Sequence, residues 1–478
     1  MSVDWSSSLD LLLDVDRPFK GAPRRRALES ALRTAIRDGR LTVGTAVPSS
    51  RSLAHDLGMA RGTVTEAYRQ LAAEGYLTSR QGAPTRVSWT PPRAAPPPAV
   101  QAGGAPPRWD FRPGRPDRTS FPRTAWGRAY RQVLAQAPDE AFDYGAAPGR
   151  AELRLALAGY LGRARGVDTS PDRLLITGGF TESLTLICHT LKARGARRLA
   201  LEDPCGPRYP VLVRTVGLEV VPVACDEEGL RVTDLARTGA DAVLVTPAHQ
   251  YPLGVTMSAA RRTALVSWAR RAGALIIEDD YDGEFRYDRQ PVGALQQLDP
   301  GRVVYLGTAS KSLAPAVRLG WISPPRSFAA DLVPVKDHLE HGPCVLNQLA
   351  LARLITDGGF DQHIRRMRAR YRRRRDELAQ ALATRLPALG LAGTAAGLHA
   401  VIYLNRSGPG DGPGEEDLLR RAARRSLGLS TLSQYWHGPP DRSAPPRPQA
   451  MIAGYATPPG HAYRPAVQAL IDLLASRP

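Results

Sequence analysis

A proline-rich segment divides this chain of 478 residues into two unequal parts. Residues 88–108 contain seven prolines, interleaved with alanine, glycine and glutamine, and too few large apolar side chains to form a core. We expect this segment to run extended as a semi-rigid linker. We therefore predict one domain at 17–88, a linker at 89–108 and a second domain at 109–478.

Composition places both parts among ordinary globular domains, because 43% of the residues are hydrophobic and 23% are charged. No run of 18 apolar residues occurs, and the first residues do not form a basic-then-apolar signal sequence, so we expect a cytoplasmic protein with no membrane span. The four cysteines lie far apart without a Cys-x-x-Cys pair. This spacing favours a reduced protein without disulfides, and no metal site is expected.

The N-terminal part is strongly basic. Residues 17–90 contain 13 Lys and Arg against five Asp and Glu, a net charge of +8, out of +18 for the whole chain. Three helical patterns end near Gly39, Gly58 and Gly75, and two alternating strands follow at 76–79 and 85–88. Two short helices joined by a tight turn, followed by a third helix and a basic hairpin, are typical of a winged helix-turn-helix.

In this arrangement the third helix would enter the major groove of DNA with its N-terminal residues nearest the bases. Arg61, Thr63 and Thr65 lie on its outer face, and arginine can contact guanine with two hydrogen bonds. Arg51 and Arg86 are better placed to hold phosphates. A small helical docking module with solvated arginines is the alternative that the pattern alone leaves open.

Residues 32–87 resemble the GntR-type winged helix across the whole module. They carry the frame G-x-L, P-S-S-R-x-L-A, R-x-T-V, A-Y-x-x-L and E-G-Y in that order. Two positions depart from the family. Ala60 stands where a capping serine is usual, which we expect to weaken the start of the third helix by about 1 kcal/mol. The wing tip reads Gly82-Ala83-Pro84, where two glycines are usual.

Beyond the linker, apolar runs of strand length alternate with helical stretches such as 259–271. Because the runs are continuously apolar, they indicate an α/β fold whose parallel sheet is covered on both faces. Ligands of such sheets bind beyond the carboxyl ends of the strands. The predicted strands are 174–177, 199–201, 243–245, 275–277 and 303–306.

The residues that follow three of these strands together have the groups needed to bind a single cofactor. Gly178-Gly179-Phe180-Thr181 opens a helix, whose free N–H groups can hold a phosphate. The acidic cluster 278–280 needs a cationic partner if it is buried. Lys311 is one of only four lysines in the chain, follows a strand end beside small hydroxyl residues, and precedes Arg318 by seven positions. A lysine for an aldehyde, a carboxylate for a pyridinium and a cup for a phosphate together predict a pyridoxal 5'-phosphate site.

Residues 111–455 resemble the fold-type I aminotransferases. The segments TPAHQYPLGVTMSAARR, IIEDDYDGEFRYDRQPVGAL and GTASKSLAPAVRLGW are typical of the MocR-type regulators, in which such a domain is fused to a GntR module. The resemblance therefore implies an α/β protein with an N-terminal winged helix-turn-helix and a large pyridoxal-phosphate-binding domain of fold type I.

The resemblance also implies a role for each matching residue. Lys311 would form the Schiff base with the cofactor, Asp279 would pair with its pyridine nitrogen, and Tyr281 would bind its ring oxygen. Tyr144 aligns with a tyrosine that reaches the phosphate of a neighbouring subunit, which implies a homodimer. Tyr251 occupies the place of the asparagine of Asn-Pro-x-Gly in plain aminotransferases. The phosphate cup would consist of the amides of Gly179 and Phe180 with Thr308, Ser310 and Arg318.

Other positions depart from the family near the expected ligand. Gly206 replaces a tyrosine expected near the cofactor, while Arg208 keeps a position that some members use for effector carboxylates. Thr181-Glu182 replaces the usual Gln-Gln after the phosphate turn. Near 451–454, where aminotransferases place the arginine for the substrate carboxylate, only Gln449 and Arg447 are found. We therefore expect cofactor binding to be intact and α-amino-acid recognition to be impaired.

The arginine run 365–375 admits two interpretations. In the family, the stretch IRRMRARYRRRRDEL begins a long solvated helix, and this is the interpretation we prefer. The alternative is a second patch for DNA, since clustered arginines neutralise phosphates.

The resemblance implies a transcription regulator whose aminotransferase-like domain senses pyridoxal phosphate, or an amino compound that reacts with it, through Lys311. Its partners would be an operator on double-stranded DNA, a small-molecule effector and a second copy of the chain, with no membrane. Regulators of this type respond to pyridoxal phosphate or to amino compounds such as γ-aminobutyrate or taurine, and we favour the cofactor itself. A working aminotransferase with a DNA-binding appendage is the alternative. A regulator that has lost its cofactor is disfavoured, because the cofactor-binding residues occur together.

Overall fold

The computed structural model describes residues 24–80, 82–89, 106–287, 292–339, 342–404, 414–440 and 446–476. The chain separates into two compact units, Met1–Ala105 and Pro106–Pro478. Residues 90–105, most of the predicted linker, lie outside the described residues. All four cysteines are free. Within the described ranges, no helix has both the length and the apolar character needed to cross a membrane.

The N-terminal unit has the predicted order of three helices and a hairpin. The elements are α1 (Arg24–Arg37), α2 (Ser50–Asp56), α3 (Arg61–Ala73), β1 (Leu77–Thr78) and β2 (Arg86–Val87). Strands β1 and β2 pair antiparallel. Side chains from every helix and both strands form one buried cluster, which includes Leu32, Leu53, Val64, Leu77 and Val87. The Tyr68 hydroxyl donates to the carbonyl of Pro48 (2.9 Å), which ties α3 to the segment before α2.

The large unit alternates helices and strands along most of its length. Its helices are α4 (Arg123–Gln136), α5 (Ala151–Arg165), α6 (Phe180–Ala193), α7 (Arg208–Val216), α8 (Val232–Leu235), α9 (Ala259–Ala272), α10 (Ala309–Ser312), α11 (Arg326–Leu339), α12 (Val345–Thr356), α13 (Gly359–Arg385), α14 (Glu415–Arg424) and α15 (Tyr463–Ala475). Its strands are β3 (Trp109–Asp110), β4 (Leu175–Thr177), β5 (Arg198–Asp203), β6 (Glu219–Asp226), β7 (Gly229–Leu230), β8 (Ala242–Val245), β9 (Leu275–Asp279), β10 (Val303–Thr308), β11 (Gly320–Ser323), β12 (Leu391–Ala392), β13 (Ala400–Tyr403), β14 (Leu427–Gly428), β15 (Ser430–Thr431) and β16 (Ala450–Ala453).

The main sheet has eight strands in the order β4-β11-β10-β9-β8-β5-β6-β7. Strands β10, β9, β8, β5 and β6 run parallel, and β11 pairs antiparallel with both β10 and β4. All five predicted strands are present. The sequence pattern did not reveal β6, because its residues are mostly half-exposed and include Pro222. It also missed β11, a short strand that begins with Gly320.

A smaller antiparallel sheet, in the order β12-β13-β16-β15, lies in the C-terminal part of the large unit. Buried side chains of α5, α13 and α15 join residues of both sheets in one large apolar cluster. The arginine run is part of α13, as expected, but the helix is not solvated on every face. Arg374 is buried and its guanidinium bonds to Asp117 (2.7 Å) and to the carbonyl of Ala456 (2.8 Å).

Candidate functional site

The predicted DNA-reading residues lie at the beginning of α3. Arg61 and Thr65 are exposed, and Thr63 is half-buried, because Val64 and Tyr68 turn the opposite face of the helix into the core. Arg51 is exposed on α2. These side chains therefore occupy the outer surface of the two helices that a helix-turn-helix presents to DNA.

Arg86 is exposed on β2, and its guanidinium donates to the carbonyl of Gly44 (2.7 Å). Further backbone hydrogen bonds join this segment to β2, from Gly44 to Val87 (2.8 Å) and from Val87 to Thr45 (2.9 Å). The base of the wing is thus anchored on both sides. Gly82, Ala83 and Pro84 at its tip are exposed, and Gln81 lies outside the described residues.

The two helix starts of the motif differ, and the start of α3 lacks a capping side chain, as the sequence predicted. The Ser49 hydroxyl accepts a hydrogen bond from the Ser52 amide (3.1 Å) at the start of α2. Ala60 occupies the equivalent position before α3 and provides no side-chain bond. A hydroxyl at such a position accepts a hydrogen bond from one of the free amides of the first turn and stabilises the helix. Because Ala60 has no hydroxyl, α3 lacks this stabilisation.

In the large unit, the end of β4 leads through two glycines into α6. Gly179 has a φ of 118°, which other residues rarely adopt, and a side chain added there would meet no atom within 4 Å. The space beside Gly179 is therefore open at the N-terminus of α6, and the backbone N–H groups of a first helical turn favour an anion. The Gly179 amide lies 3.4 Å from the Thr177 hydroxyl oxygen.

An acidic side chain enters the same turn. The Glu182 carboxylate accepts from the Gly178 amide (2.6 Å) and lies 3.5 Å from the ammonium group of Lys336, a fully buried lysine of α11. Sequence reasoning noted Glu182 as a departure but did not find Lys336, since the pair joins helices 154 positions apart. A phosphate bound at this turn would meet both charges.

The remaining members of the predicted cup lie at the end of β10. The Thr308 hydroxyl accepts from the Ser310 amide (3.1 Å) and caps α10, the short helix that contains Lys311. Arg318 adopts a left-handed conformation (φ 55°), and its guanidinium lies 3.6 Å from the position that a Cβ of Gly178 would occupy. The structure thus brings Arg318 to the turn before α6.

Lys311 is half-buried, and its amine donates to the carbonyl of Gly114 (2.6 Å). Burial lowers the pKa of Lys311 below the usual value for lysine, and the carboxylates of Asp279 and Asp282 oppose this change. A lower pKa increases the fraction of neutral amine, which is the form that attacks an aldehyde.

The three acidic residues at the end of β9 have different bonding partners. Glu278 accepts from the amides of Leu295 (2.7 Å) and Gln296 (2.9 Å), and Asp280 forms a buried ion pair with Arg165 (2.7 Å). Asp279 has no such cation fixed to it among the described residues. Burial raises its pKa to about 7, and this carboxylate therefore suits a cationic ligand.

Two tyrosines lie beside this group. The Tyr281 hydroxyl donates to the carbonyl of His249 (3.0 Å), and the ring of Tyr251 stands edge-on to that of Tyr281 at 5.6 Å. The Tyr251 hydroxyl is 3.6 Å from the position that a Cβ of Gly114 would occupy, and the amine of Lys311 is 3.9 Å from the same point. The structure therefore places Tyr251 close to Lys311.

A buried trio that sequence reasoning missed supports these tyrosines. His249 contacts the carboxylate of Asp282 (3.0 Å), and His399 contacts the carbonyl of Pro252 (3.1 Å). One ligand atom from each of His249, Asp282 and His399 lies within 4.8 Å of the others, a spacing that a cation could bridge. His249 and Asp282 lie in two of the segments quoted above, but His399 comes from a distant segment with no such motif.

Two predicted ligand residues, Tyr144 and Arg208, do not join the group in a single chain, and neither does Arg447, the arginine nearest the usual carboxylate-binding position. Tyr144 is 81% exposed, and its expected role requires a second subunit. Arg208 is exposed at the start of α7. Arg447 lies over the ring of Trp436 (4.4 Å) and bonds to Asp203 (3.3 Å) and the Gly438 carbonyl (2.8 Å). Arg447 is therefore held by the protein itself.

The sequence was incomplete as a guide at Gly206. It suggested that the cofactor site loses a tyrosine there, but the structure brings in another from one helical turn further on. The Tyr209 hydroxyl donates to the Asp279 carboxylate (2.8 Å). An aromatic residue three positions after an unusual glycine was the available signal.

Comparison with protein families gives two matches. Residues 24–87 match the family described as bacterial regulatory proteins, gntR family, and residues 115–408 match aminotransferase class I and II. The second match alone spans more than half of the chain.

Two curated relatives match over most of their length. The HTH-type pyridoxine biosynthesis transcriptional regulator PdxR of Corynebacterium glutamicum is 34% identical over 415 residues, covering 86% of this chain and 88% of that protein. The probable rhizopine catabolism regulatory protein MocR of Rhizobium meliloti is 34% identical over 473 residues, covering 93% and 92%.

Among solved structures, an archaeal alanine:glyoxylate aminotransferase superposes with a TM-score of 0.69 and 24% identity, covering 78% of this chain and 91% of that one. An aspartate aminotransferase mutant of Thermus thermophilus gives 0.65 and 20%, covering 76% and 96%. These similarities establish an aminotransferase fold for the large unit.

Proposed function

Since this chain belongs to the MocR-type regulators, in which a GntR helix-turn-helix module is joined to an aminotransferase domain that uses pyridoxal 5'-phosphate, we propose that the occupant of Lys311 controls its binding to DNA. The occupant would be pyridoxal phosphate itself or an amino compound that reacts with it. The protein is a transcription regulator, and we propose that it acts in the cytoplasm, on an operator, as a homodimer.

The observation that carries this proposal is the convergence of a lysine, a carboxylate and a helix N-terminus at one edge of the main sheet. Lys311 would hold the cofactor covalently through its aldehyde. Asp279 would hold the pyridine nitrogen, and Tyr281 the ring oxygen. The amides of Gly179 and Phe180 would hold the phosphate.

When bound, the cofactor would supply an electrophilic carbon that an amine can attack. The residues of this chain determine which amine reaches it. Arg208, at the start of α7, is the candidate for contact with an effector, while Tyr251, beside Lys311, would contact the cofactor. Arg318, Thr308 and Ser310 would complete the phosphate cup.

Control of DNA binding would pass through the relative placement of two winged helices in the dimer. A dimer of such modules binds two half-sites whose separation matches its geometry, so a change in placement changes operator affinity. Arg61, Thr63 and Thr65 would read bases, and Arg51 and Arg86 would hold phosphates.

The test compares binding of the DNA upstream of the protein's own gene by cofactor-free and cofactor-loaded protein, at one salt concentration because affinity depends on it. We expect loading to change the affinity or the footprint in the wild type and in Lys192→Ala, a surface lysine variant. Lys311→Ala should abolish the change. Equal binding by the two wild-type forms would exclude the cofactor as the signal and direct the search to amines.

The alternative of an active aminotransferase requires recognition of a substrate carboxylate. Arg447, the arginine nearest the usual position, is engaged with Asp203 and Trp436. We therefore expect no sustained conversion of an amino donor to a keto acid by the purified protein. Turnover that disappears in Lys311→Ala would favour the enzyme.

A further inference from the structure

Tyr209 links two parts of the candidate cofactor site. Its hydroxyl donates to Asp279 Oδ2 (2.8 Å), and its ring lies 4.7 Å from that of Phe180, at an angle of 35° between the planes. Asp279 forms no ion pair within 4 Å among the described residues and accepts no backbone amide there, in contrast to Asp280 and Glu278, and Phe180 follows the glycine turn at the start of α6. Tyr209 therefore spans the distance between the predicted nitrogen-binding and phosphate-binding ends of the site.

Gly206 leaves the space that the ring of Tyr209 occupies. A Cβ at residue 206 would lie 2.8 Å from Cε1 of the Tyr209 ring and 3.2 Å from Cζ. Atoms of this kind do not approach so closely, so even alanine at 206 would displace the ring. The φ of Gly206 is not positive, so the backbone does not require glycine here. The ring of Tyr209 is the feature that requires it.

The hydrogen bond acts on a carboxylate that burial disfavours. Burial raises the pKa of Asp279 to about 7, and the bond from Tyr209 opposes this rise by stabilising the ionised form. The bond occupies Oδ2 and leaves Oδ1 as the oxygen for a ligand. It also restricts rotation of the carboxylate, because turning the group would lengthen the bond to Oδ2.

We propose that Tyr209 is the positioning residue of the cofactor site, holding Asp279 for the pyridine nitrogen while its ring forms a wall of the site in place of a side chain at 206. This inference rests on the proposed function, since it assigns a partner to Asp279. It divides the role between two positions: Gly206 provides space, and Tyr209 provides the aromatic ring and the hydroxyl.

The experiment measures the dissociation constant of pyridoxal phosphate from the full-length protein by absorbance, from pH 6 to 9. Tyr209→Phe keeps the ring and removes the hydroxyl. We expect it to weaken binding by about tenfold, the order expected for a hydrogen bond to a charged group. The midpoint of the pH dependence should move upward by about one unit, because Asp279 loses a bond that favours its ionised form.

A second set of variants tests the close contact between position 206 and the ring of Tyr209. Gly206→Ala should weaken binding in the Tyr209 protein, because the added methyl group displaces the ring. It should have no further effect in the Tyr209→Ala background, where that ring is absent. Tyr463→Phe is the control for loss of a tyrosine hydroxyl, since Tyr463 donates to the carbonyl of Arg374, on α13.

Unchanged affinity and an unchanged pH midpoint in Tyr209→Phe would overturn the inference. Tighter binding by Tyr209→Ala would overturn it too, by identifying the ring as an obstruction. Both results leave the proposed function intact as long as the wild type binds the cofactor and Lys311→Ala does not. A wild type that fails to bind pyridoxal phosphate would overturn the inference and the proposed function together.

Discussion

The proposed DNA-binding surface and the proposed cofactor site differ in how much of the chain builds them. Three of the five residues proposed to contact DNA lie within five positions at the start of α3, and the core behind them comes from a single unit of the chain. The cofactor site takes Gly114, Gly179, Tyr209, Asp279 and Lys311 from five separate segments. A local surface can be read from helical periodicity, whereas a dispersed site depends on how strands and loops come together.

The difference leads to different expected responses to mutation. A side chain on the DNA-binding surface acts through direct contact with its ligand, so its loss should leave the rest of the protein unchanged. A side chain in the cofactor site also contacts residues from other segments of the chain, so its loss should displace those residues too. The following predictions test that contrast in order of decreasing effect.

Asp279→Asn should have the largest effect. It replaces the charged partner of the pyridine nitrogen by an amide, and a hydrogen bond to a charged group contributes about 1.5–3 kcal/mol. We therefore expect pyridoxal phosphate to bind about 10- to 150-fold more weakly. The dissociation constant measured by absorbance checks this. Asp331→Asn, at an exposed pair with Arg194, should leave it unchanged.

The strand ends explain why the sequence predicts Asp279 and Lys311 as site residues. Each follows a strongly apolar run, and the carboxyl ends of parallel strands share one edge of a sheet. Tyr209 and Lys336 gave no comparable signal. Tyr209 lies in the first turn of α7, which follows the turn at Gly206, and Lys336 meets Glu182 only because α11 packs beside α6.

Elements of the fold without a local sequence signal were missed in the same way. Strands with continuous apolar runs were predicted, but β6 and β11 were not, because neighbouring strands determine their pairing rather than their own hydrophobicity. In the N-terminal unit, all three helices and both strands were predicted. Each of those elements carries its own pattern and ends at a glycine or a turn.

Arg61→Ala tests the local surface. Loss of a two-bond contact from arginine to guanine costs about 1–3 kcal/mol, so the affinity for each half-site should fall by about 5- to 150-fold. Arg69→Ala is the matched control on the same helix, because Arg69 already forms an ion pair with Glu66. Cofactor affinity should be unchanged in both variants. Equal losses of operator affinity would contradict the assignment of Arg61 to the bases.

Glu202→Gln tests how much one buried carboxyl contributes to the pH dependence of the stability of the large unit. Glu202 is buried beside Thr246, and burial raises its pKa to about 7. A carboxyl with a raised pKa in the folded state stabilises the fold at low pH, and this contribution is lost as the pH rises through 7. Between pH 6 and 8, the wild type should lose about 1 kcal/mol through this group.

Glutamine does not ionise in this range, so the pH dependence of unfolding should become shallower by that amount in Glu202→Gln. Urea unfolding of cofactor-free protein at both pH values provides the measurement. Glu219→Gln, at an exposed pair with Arg198, serves as the control. An identical pH dependence in the wild type and Glu202→Gln would show that Glu202 ionises at its ordinary pKa.

The smallest effect should come from Ala60→Ser, which has a reciprocal partner in Ser49→Ala. Both positions precede helices and have extended backbones, with φ near −60° and ψ between 135° and 148°. A serine at 60 can therefore accept an amide of the first turn of α3, as Ser49 does for α2. We expect Ala60→Ser to stabilise the N-terminal unit by about 1 kcal/mol and Ser49→Ala to destabilise it by a similar amount. Because Arg61 follows directly, Ala60→Ser should also strengthen operator binding slightly by fixing the first turn. A stabilised unit with unchanged operator affinity would mean that α3 is already fully formed before it meets DNA.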